Sequence, residues 1–242
     1  MRKNPPALLA IFDIAGTLIE DTGVLVRAFS QALGLSGVRA TEEEIQEWRG
    51  AAKRDVIRHF VSKHLDRRSP QIEGMVEEAY SAFRRLLEEN YRKEAIKPIA
   101  GVEDTLDWLR SRNILIATTT GFYREVRDLI LQKLGWDGSF FDCNVCSDDV
   151  PKGRPAPYMV FQCMSCLGIL DVDRTIVIGD TPLDMQAGCN AGCRGVIGVL
   201  TGSHGIESLG MSRHTHIIPS VASLPALLQL DAEYWMLDTR YA

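Results

Sequence analysis

The sequence predicts an α/β fold, a doubly wound parallel sheet with an inserted domain made only of helices. Three observations lead to this expectation. After Pro98, apolar runs of strand length alternate with amphipathic stretches of helix length. One more apolar run, residues 7–12, stands near the amino end and leads into Asp13. From Val24 to Arg92 the apolar residues lie three and four apart, and no strand is expected among them.

The first strand is expected to be followed by three helical segments, which are residues 25–35, 41–65 and 71–93. Thr41 and Glu44 form a capping-box pattern, which is typical of the start of a helix. We therefore expect two domains, a helical insert of residues 21–95 and a Rossmann-like core of residues 1–20 and 96–242.

The second part of the core is expected to consist of four helix and strand pairs. They are helix 102–112 with strand 114–120, helix 124–135 with strand 140–146, helix 156–169 with strand 175–180, and helix 182–192 with strand 195–200. Strands that are apolar almost throughout are typical of a parallel sheet covered by helices on both faces. A closing turn and helix are expected within residues 219–230.

The composition is that of an ordinary globular protein. Of 242 residues, 24% are charged and 45% are hydrophobic, and the net charge is -5. This charge provides no general attraction to nucleic acid or to an anionic membrane. No apolar run approaches the roughly 20 residues of a membrane span. We expect a cytoplasmic protein that acts on a small molecule, with neither nucleic acid nor a membrane as a partner.

Six cysteines are present, and in the cytoplasm we expect them to be reduced. Cys143 and Cys146 form one C-x-x-C pair, and Cys163 and Cys166 form another, a spacing also found in zinc sites. Residues three apart in a strand point to opposite faces, which argues against chelation by the first pair. The second pair lies in an expected buried helix, so we favour packing in the core, with zinc as the alternative.

Polar residues follow several of the expected strands. Asp13 ends the first strand, three threonines at 118–120 end the second, Arg154 lies in a later loop and Asp180 ends another strand. In open parallel sheets these ends share one edge, where sites are built. Two aspartates suit Mg²⁺, and threonine hydroxyls, backbone N–H groups and a guanidinium suit phosphoryl oxygens. An oxygen of Asp13 is then available to attack phosphorus.

The order of these residues resembles the four motifs of the haloacid dehalogenase superfamily, and the helical insert falls where that superfamily has a cap domain. The resemblance implies a Mg²⁺-dependent hydrolase that forms an aspartyl-phosphate. The implied metal ligands are Asp13, the backbone carbonyl of Ala15 and Asp180, with Asp184 as support. The implied phosphate-binding residues are Thr118, Thr119 and Arg154, with a register uncertain by one residue in the threonine run.

Ala15 is a departure from most phosphatases of this superfamily, which have a general-acid aspartate at that position. Loss of such a group typically costs about 10²–10⁴-fold in rate. "DIAGTL", "TTTGFYREV", "GRPAP" and "GDTPLDM" resemble the phosphonoacetaldehyde hydrolases, the phosphonatase branch, which have alanine there. The resemblance implies cleavage of a carbon–phosphorus bond, with a cap lysine that forms a Schiff base with the substrate aldehyde.

Lys53, forty residues after Asp13, is the candidate for that lysine. The role requires a partly deprotonated amine, which burial and a neighbouring Arg49 or Arg54 would promote. Two alternatives are a solvated helix lysine and a cation that only binds substrate. Around their lysine, phosphonatases have methionine four residues before and histidine three residues after. Arg49 and Val56 occupy these positions here.

Two other functions are also compatible with the sequence. One is a small-metabolite phosphomonoesterase resembling phosphoglycolate phosphatase, and the other is a binding protein that has lost catalysis. The resemblance also suggests a homodimer formed through the cap. His204, His214 and His216 are interpreted as loop residues.

Overall fold

A six-stranded parallel sheet forms the centre of the computed structural model, which describes residues 8–49, 51–65 and 69–230. The strand order is β3-β2-β1-β4-β5-β6. The strands are β1 (Leu9–Asp13), β2 (Leu115–Thr120), β3 (Cys143–Cys146), β4 (Thr175–Gly179), β5 (Gly195–Val199) and β6 (His216–Ile218). From β1 the chain builds outward to β3, then returns to β4 and builds the other way. This confirms the predicted doubly wound fold, whose direction reverses between β1 and β4.

Helices of the core cover both faces of the sheet. They are α5 (Val102–Arg110), α6 (Arg124–Leu134), α7 (Tyr158–Cys166), α8 (Pro182–Ala191), α9 (Ile206–Gly210) and α10 (Leu224–Leu230). The alternation along β1 shows the two layers. Leu9 and Ile11 pack in a cluster with residues of α7, whereas Ala10 and Phe12 pack in the large cluster that includes α5 and α6.

Four helices lie between β1 and α5 in the sequence. They are α1 (Val24–Leu35), α2 (Glu42–Gln46), α3 (Lys53–His64) and α4 (Ile72–Lys93). The rings of Phe29 in α1 and Phe83 in α4 stack with centroids 4.2 Å apart. The expected capping box is confirmed, because the Glu44 N–H donates to Thr41 and the Thr41 N–H donates to Glu44.

The segment expected to be helical over 41–65 is two helices, because the chain leaves the helical conformation after Gln46 and resumes it at Lys53. Gly50, in this break, lies outside the described residues. The break places Lys53 at the first turn of α3 and leaves residue 49 in the connection.

Two chain segments connect the helical insert to the sheet, and they run side by side. Ile19 and Pro98 form an antiparallel bridge, the Glu20 N–H donates to the Lys97 carbonyl at 3.0 Å and the Ile99 N–H donates to the Leu18 carbonyl at 2.9 Å. This pairing fixes where the insert leaves the core, next to the carboxyl end of β1.

β6 and α9 were not predicted from the sequence. His216, which was expected to be a loop residue, lies in β6. Three residues are too short for a period of two to be recognised in sequence.

Among the described residues, no helix is long and apolar enough to cross a membrane. Cys143 and Cys163 are buried, but Cys166 is exposed, so the expected buried helix is buried on one side only.

Candidate active site

A small pocket lies at the carboxyl edge of the sheet, beneath the helical insert. Asp13 at the end of β1, Thr120 at the end of β2 and Arg154 after β3 contribute from the core. Arg49 and Lys53 contribute from the insert. The pocket has an internal volume of about 20 Å³. It is therefore far smaller than the roughly 300–1,000 Å³ of an open small-molecule site.

Arg154 connects the carboxylate at the end of β1 with a carboxylate in the first turn of α8. Its Nη1 donates to Asp13 Oδ1 at 2.7 Å and lies 2.8 Å from Asp184 Oδ1. Its Nη2 donates to the hydroxyl and to the carbonyl of Thr119, at 2.7 and 3.0 Å. Because the guanidinium is buried and held at four points, its orientation in the site is fixed.

Asp180 and Asp184 follow β4 and have different surroundings. Asp180 accepts from the Thr17 hydroxyl at 3.3 Å and from the Ser203 N–H at 3.2 Å. Asp184 closes a capping box with Thr181, accepting from its hydroxyl at 2.6 Å and from its N–H at 3.1 Å. Asp184 is thus fixed by hydrogen bonds at the start of its own helix. Asp180 is instead hydrogen-bonded to two loops, the one after β1 and the one after β5.

The loops reach Asp180 because two glycines allow a close approach. A Cβ at Gly202 would lie 1.9 Å from Asp180 Oδ2. A Cβ at Gly16, which also has φ of +89°, would lie 2.6 Å from the same oxygen. No side chain fits at either position without displacing the carboxylate.

Lys53 is buried in the pocket with only 5% of its surface exposed. Its Nζ donates to the Ala51 carbonyl at 3.0 Å and lies 5.3 Å from the centroid of the Phe122 ring. No carboxylate of the described residues forms a salt bridge with it. Burial, reinforced by the positive charge of Arg49, therefore lowers the pKa of Lys53 to about 7, although Asp13 acts in the opposite direction.

Of the two cations expected beside this lysine, the structure places only Arg49 there. Arg54 lies on the surface and donates to Glu77 at 2.8 Å. Val56, at the position of the phosphonatase histidine, is fully buried in the hydrophobic core of the insert. Arg49 is 5% exposed and forms an ion pair with Asp21.

The two aspartates expected to bind the metal are costly to bury as anions. Burial raises the pKa of Asp13 to about 6, against the effect of Arg154. Burial, with repulsion from Asp13, holds the pKa of Asp180 well above its usual range. Within the described ranges, no three His, Cys, Asp or Glu side chains form a metal-binding group. Two carboxylates fit Mg²⁺, which keeps several water ligands and relieves the repulsion between them.

The three threonines at the end of β2 have different surroundings. The Thr118 hydroxyl donates to Asn144 at 2.6 Å, and the Thr119 hydroxyl accepts from Arg154. Among the described residues that line the pocket, Thr120 and Gly121 are present and Thr118 and Thr119 are not. Three residues that line the pocket were not among the site residues predicted from the sequence; they are Thr120, Gly121 and Arg49. The only available signal was the glycine directly after the run, where a strand ends and backbone N–H groups become accessible.

Comparison with known proteins supports the expected family. The family model described as haloacid dehalogenase-like hydrolase matches residues 10–199. Curated phosphonoacetaldehyde hydrolases of Bacillus cereus (strain AH820) and Bacillus anthracis are 35% identical over 211 residues, covering 84% of this chain and 78% of each relative.

Solved structures show the same fold. A phosphonoacetaldehyde hydrolase-like protein from Oleispira antarctica superposes with a TM-score of 0.84 at 21% identity, covering 98% of this chain and 97% of that one. A predicted phosphoglycolate phosphatase from Haemophilus somnus superposes with a TM-score of 0.77 at 21% identity, covering 91% and 97%.

Proposed function

The chain belongs to the haloacid dehalogenase-like hydrolases and to their phosphonatase-like branch, and on this premise we propose that it cleaves the carbon–phosphorus bond of a 2-oxoalkylphosphonate. In such a substrate, the carbon bonded to phosphorus is also bonded to a carbonyl carbon. Asp13 is the nucleophile, Lys53 is the Schiff-base lysine and Mg²⁺ is the cofactor of this proposal.

The burial of Lys53 is the observation that supports this proposal most strongly. A lysine that only binds an anion works best when it is charged at all times, and a solvated position or a carboxylate partner would keep it so. Lys53 has neither among the described residues, and its pKa is lowered to about 7. A neutral amine inside a phosphate site suits attack on a carbonyl carbon.

In the first step, the neutral amine of Lys53 attacks the substrate carbonyl. The carbonyl oxygen takes one proton from the amine and one from solvent and leaves as water, and a protonated imine then joins the lysine nitrogen to the carbon. The imine carries a positive charge next to the bond that will break. The structure has alanine at position 15 and valine at position 56, so neither side chain transfers protons in this step.

In the second step, Asp13 attacks phosphorus and the carbon–phosphorus bond breaks. The electron pair of that bond moves to carbon and neutralises the imine, so the product is an enamine on Lys53 and a phosphoryl group on Asp13. Because the enamine is a stable leaving group, no acid at position 15 is required. Protonation of the enamine carbon and addition of water then release the carbonyl product and free the amine.

The phosphoryl oxygens require donors that are already in place. We propose that Thr120 and the N–H of Gly121 bind them, since both line the pocket. Arg154 holds Asp13 in position for in-line attack. Asp13 and Asp180 would hold Mg²⁺, whose positive charge would reduce the repulsion between nucleophile and substrate. A second water molecule hydrolyses the aspartyl-phosphate and regenerates Asp13.

Substrate access requires the helical insert to move away from the core. The pocket volume of about 20 Å³ has room for one or two water molecules only. Lys53 and Arg49 lie on the insert, whereas Asp13 and Arg154 lie on the core. We propose that closure of residues 21–95, acting as a cap domain, completes the site and excludes water. The expected homodimer stays a prediction.

A substrate panel tests the function. Phosphate release is measured with Mg²⁺ from phosphonoacetaldehyde, from 3-phosphonopyruvate, and from phosphate esters such as 2-phosphoglycolate, for the parent protein and for Lys53→Arg. We expect release from at least one oxo-phosphonate, and its loss in the variant. A different result would support the phosphomonoesterase alternative. In that case Lys53→Arg still hydrolyses phosphate esters, and neither the parent protein nor the variant releases phosphate from oxo-phosphonates.

A further inference from the structure

Arg49 is a buried cation in the pocket to which the proposed mechanism gives no contact with the substrate. Only 4% of its side chain is exposed, and it lines the same small cavity as Asp13 and Lys53. The mechanism assigns the phosphoryl group to Thr120 and Gly121, and the positioning of Asp13 to Arg154. A buried guanidinium must be compensated by anions or hydrogen bonds. The groups that compensate Arg49, in the protein or in a substrate, therefore have to be identified.

The partner of Arg49 in the structure satisfies only part of its hydrogen-bonding capacity. Its Nη1 forms an ion pair with Asp21 Oδ2, and this is its one ion pair among the described residues. A guanidinium has five N–H donors in a planar fork. Asp21 also accepts from the Gly23 N–H at 3.1 Å, and its side chain is more exposed, at 17%. Arg49 therefore retains donors at the cavity wall.

The position of Arg49 relative to Lys53 indicates which part of a substrate would meet it. In the proposed mechanism, the carbonyl carbon is bonded to Lys53 and the phosphorus lies at Asp13. The remaining substituent of the carbonyl carbon then lies on the insert side of the pocket. Arg49 and Lys53 line the same cavity, and burial, with a contribution from the positive charge of Arg49, lowers the pKa of Lys53.

We propose that Arg49 binds a carboxylate attached to the carbonyl carbon, so that the substrate class is a 2-oxo acid with a phosphonate on its third carbon. This inference rests on the proposed function. Planar carboxylate recognition is the interaction for which arginine is better suited than lysine. The balanced reaction is hydrolysis of the 3-phosphono-2-oxo acid to the 2-oxo acid and phosphate, through the imine, enamine and aspartyl-phosphate described above.

The first test measures kcat/KM for 3-phosphonopyruvate and for phosphonoacetaldehyde, in which the carbonyl carbon bears a carboxylate and a hydrogen, respectively. We expect the parent protein to prefer the former by about tenfold or more, as for a hydrogen-bonded charge pair. Arg49→Met should abolish this preference, and Arg49→Lys should retain part of it. The ratio between substrates cancels any effect of Arg49 on the reactivity of Lys53. An unchanged ratio in Arg49→Met overturns the inference.

Two matched variants separate recognition from a structural role. Asp21→Asn breaks the same ion pair but removes a competing anion, so it should keep or increase the carboxylate preference. If Arg49 serves only to pair with Asp21, then Asp21→Asn and Arg49→Met should lower the thermal unfolding midpoint alike and leave the substrate ratio unchanged. Arg54→Met, which removes an equal charge from the surface of α3, should change neither quantity.

A binding measurement keeps this inference independent of the carbon–phosphorus chemistry. Calorimetry compares 3-phosphonopropanoate with propylphosphonate, neither of which has an aldehyde or ketone group, so that neither can form an imine with Lys53. Tighter binding of the carboxylated anion by about tenfold, lost in Arg49→Met, supports carboxylate recognition even if no oxo-phosphonate is cleaved. Cleavage of oxo-phosphonates with equal binding of both anions leaves the proposed function standing and refutes the role of Arg49.

Discussion

Burial of Lys53 leads to a quantitative prediction about its amine. An ordinary lysine has a pKa of about 10.4, so at about pH 7.5 roughly one amine in a thousand is neutral. Burial with the neighbouring charge of Arg49 lowers the pKa of Lys53 to about 7. Since the neutral form then predominates above about pH 7, roughly three quarters of the amines are neutral at pH 7.5. The reactive fraction rises by a factor of about 600.

Competitive labelling with a trace of acetic anhydride measures this pKa directly. The folded protein is labelled at a series of pH values, and the acetylated fraction of the peptide that contains Lys53 is measured by mass spectrometry. The midpoint is independent of how easily the reagent reaches the pocket, which affects only the amplitude. The same peptide in denaturant is the reference, and its midpoint should lie at about 10.4.

Two variants identify the cause of the shift. Arg49→Met should raise the midpoint of Lys53, because a positive charge that disfavours the ammonium is removed, but not to the denatured value, because desolvation is the larger cause. Arg54→Met should leave the midpoint in place, since Arg54 is bonded to Glu77 on the surface. A folded midpoint within about half a unit of the denatured one would refute the assignment of Lys53 as a neutral amine.

Three further predictions concern the metal and the nucleophile. Asp13→Asn should lower phosphate release by at least about 10³-fold with an unchanged circular dichroism spectrum, because an amide is a poor nucleophile. Removal of Mg²⁺ by a chelator should stop turnover reversibly while the thermal unfolding midpoint falls only slightly; unfolding on chelation would indicate a structural metal instead. Gly202→Ala should raise the Mg²⁺ concentration needed for half-maximal activity, because its Cβ would lie 1.9 Å from Asp180 Oδ2. Gly210→Ala, whose Cβ would meet nothing within 4 Å, is the control and should behave as the parent protein.

The positions of Asp13 and Asp180 were predictable because the carboxyl ends of parallel strands meet at one edge. Apolar runs ending in aspartate place both residues there without any tertiary information. The alternation of apolar runs with amphipathic stretches predicted four strand and helix pairs of the core. It did not predict β6, whose three residues from His216 to Ile218 show no periodicity.

Other features depend on contacts that sequence does not show. Three identical threonines give no signal of register, and only the structure distinguishes Thr120, at the pocket, from Thr118, bonded to Asn144. The burial of Lys53 results from the insert lying against the core, so its helix alone suggests a solvated residue. The ion pair of Arg49 with Asp21 joins the connection after α2 to the segment after β1, which are far apart in sequence.

Trapping of the imine distinguishes a Schiff-base lysine from a lysine that only binds the substrate. The parent protein is incubated with phosphonoacetaldehyde or 3-phosphonopyruvate and then with borohydride, which reduces a transient imine to a stable secondary amine. We expect one adduct per chain by mass spectrometry, located on the peptide that contains Lys53. Lys53→Arg, which keeps a positive charge but has no nucleophilic amine, should form no adduct and release no phosphate from these substrates. Phosphate release from either oxo-phosphonate by Lys53→Arg at close to the parent rate, with no adduct in the parent protein, would contradict the Schiff-base mechanism.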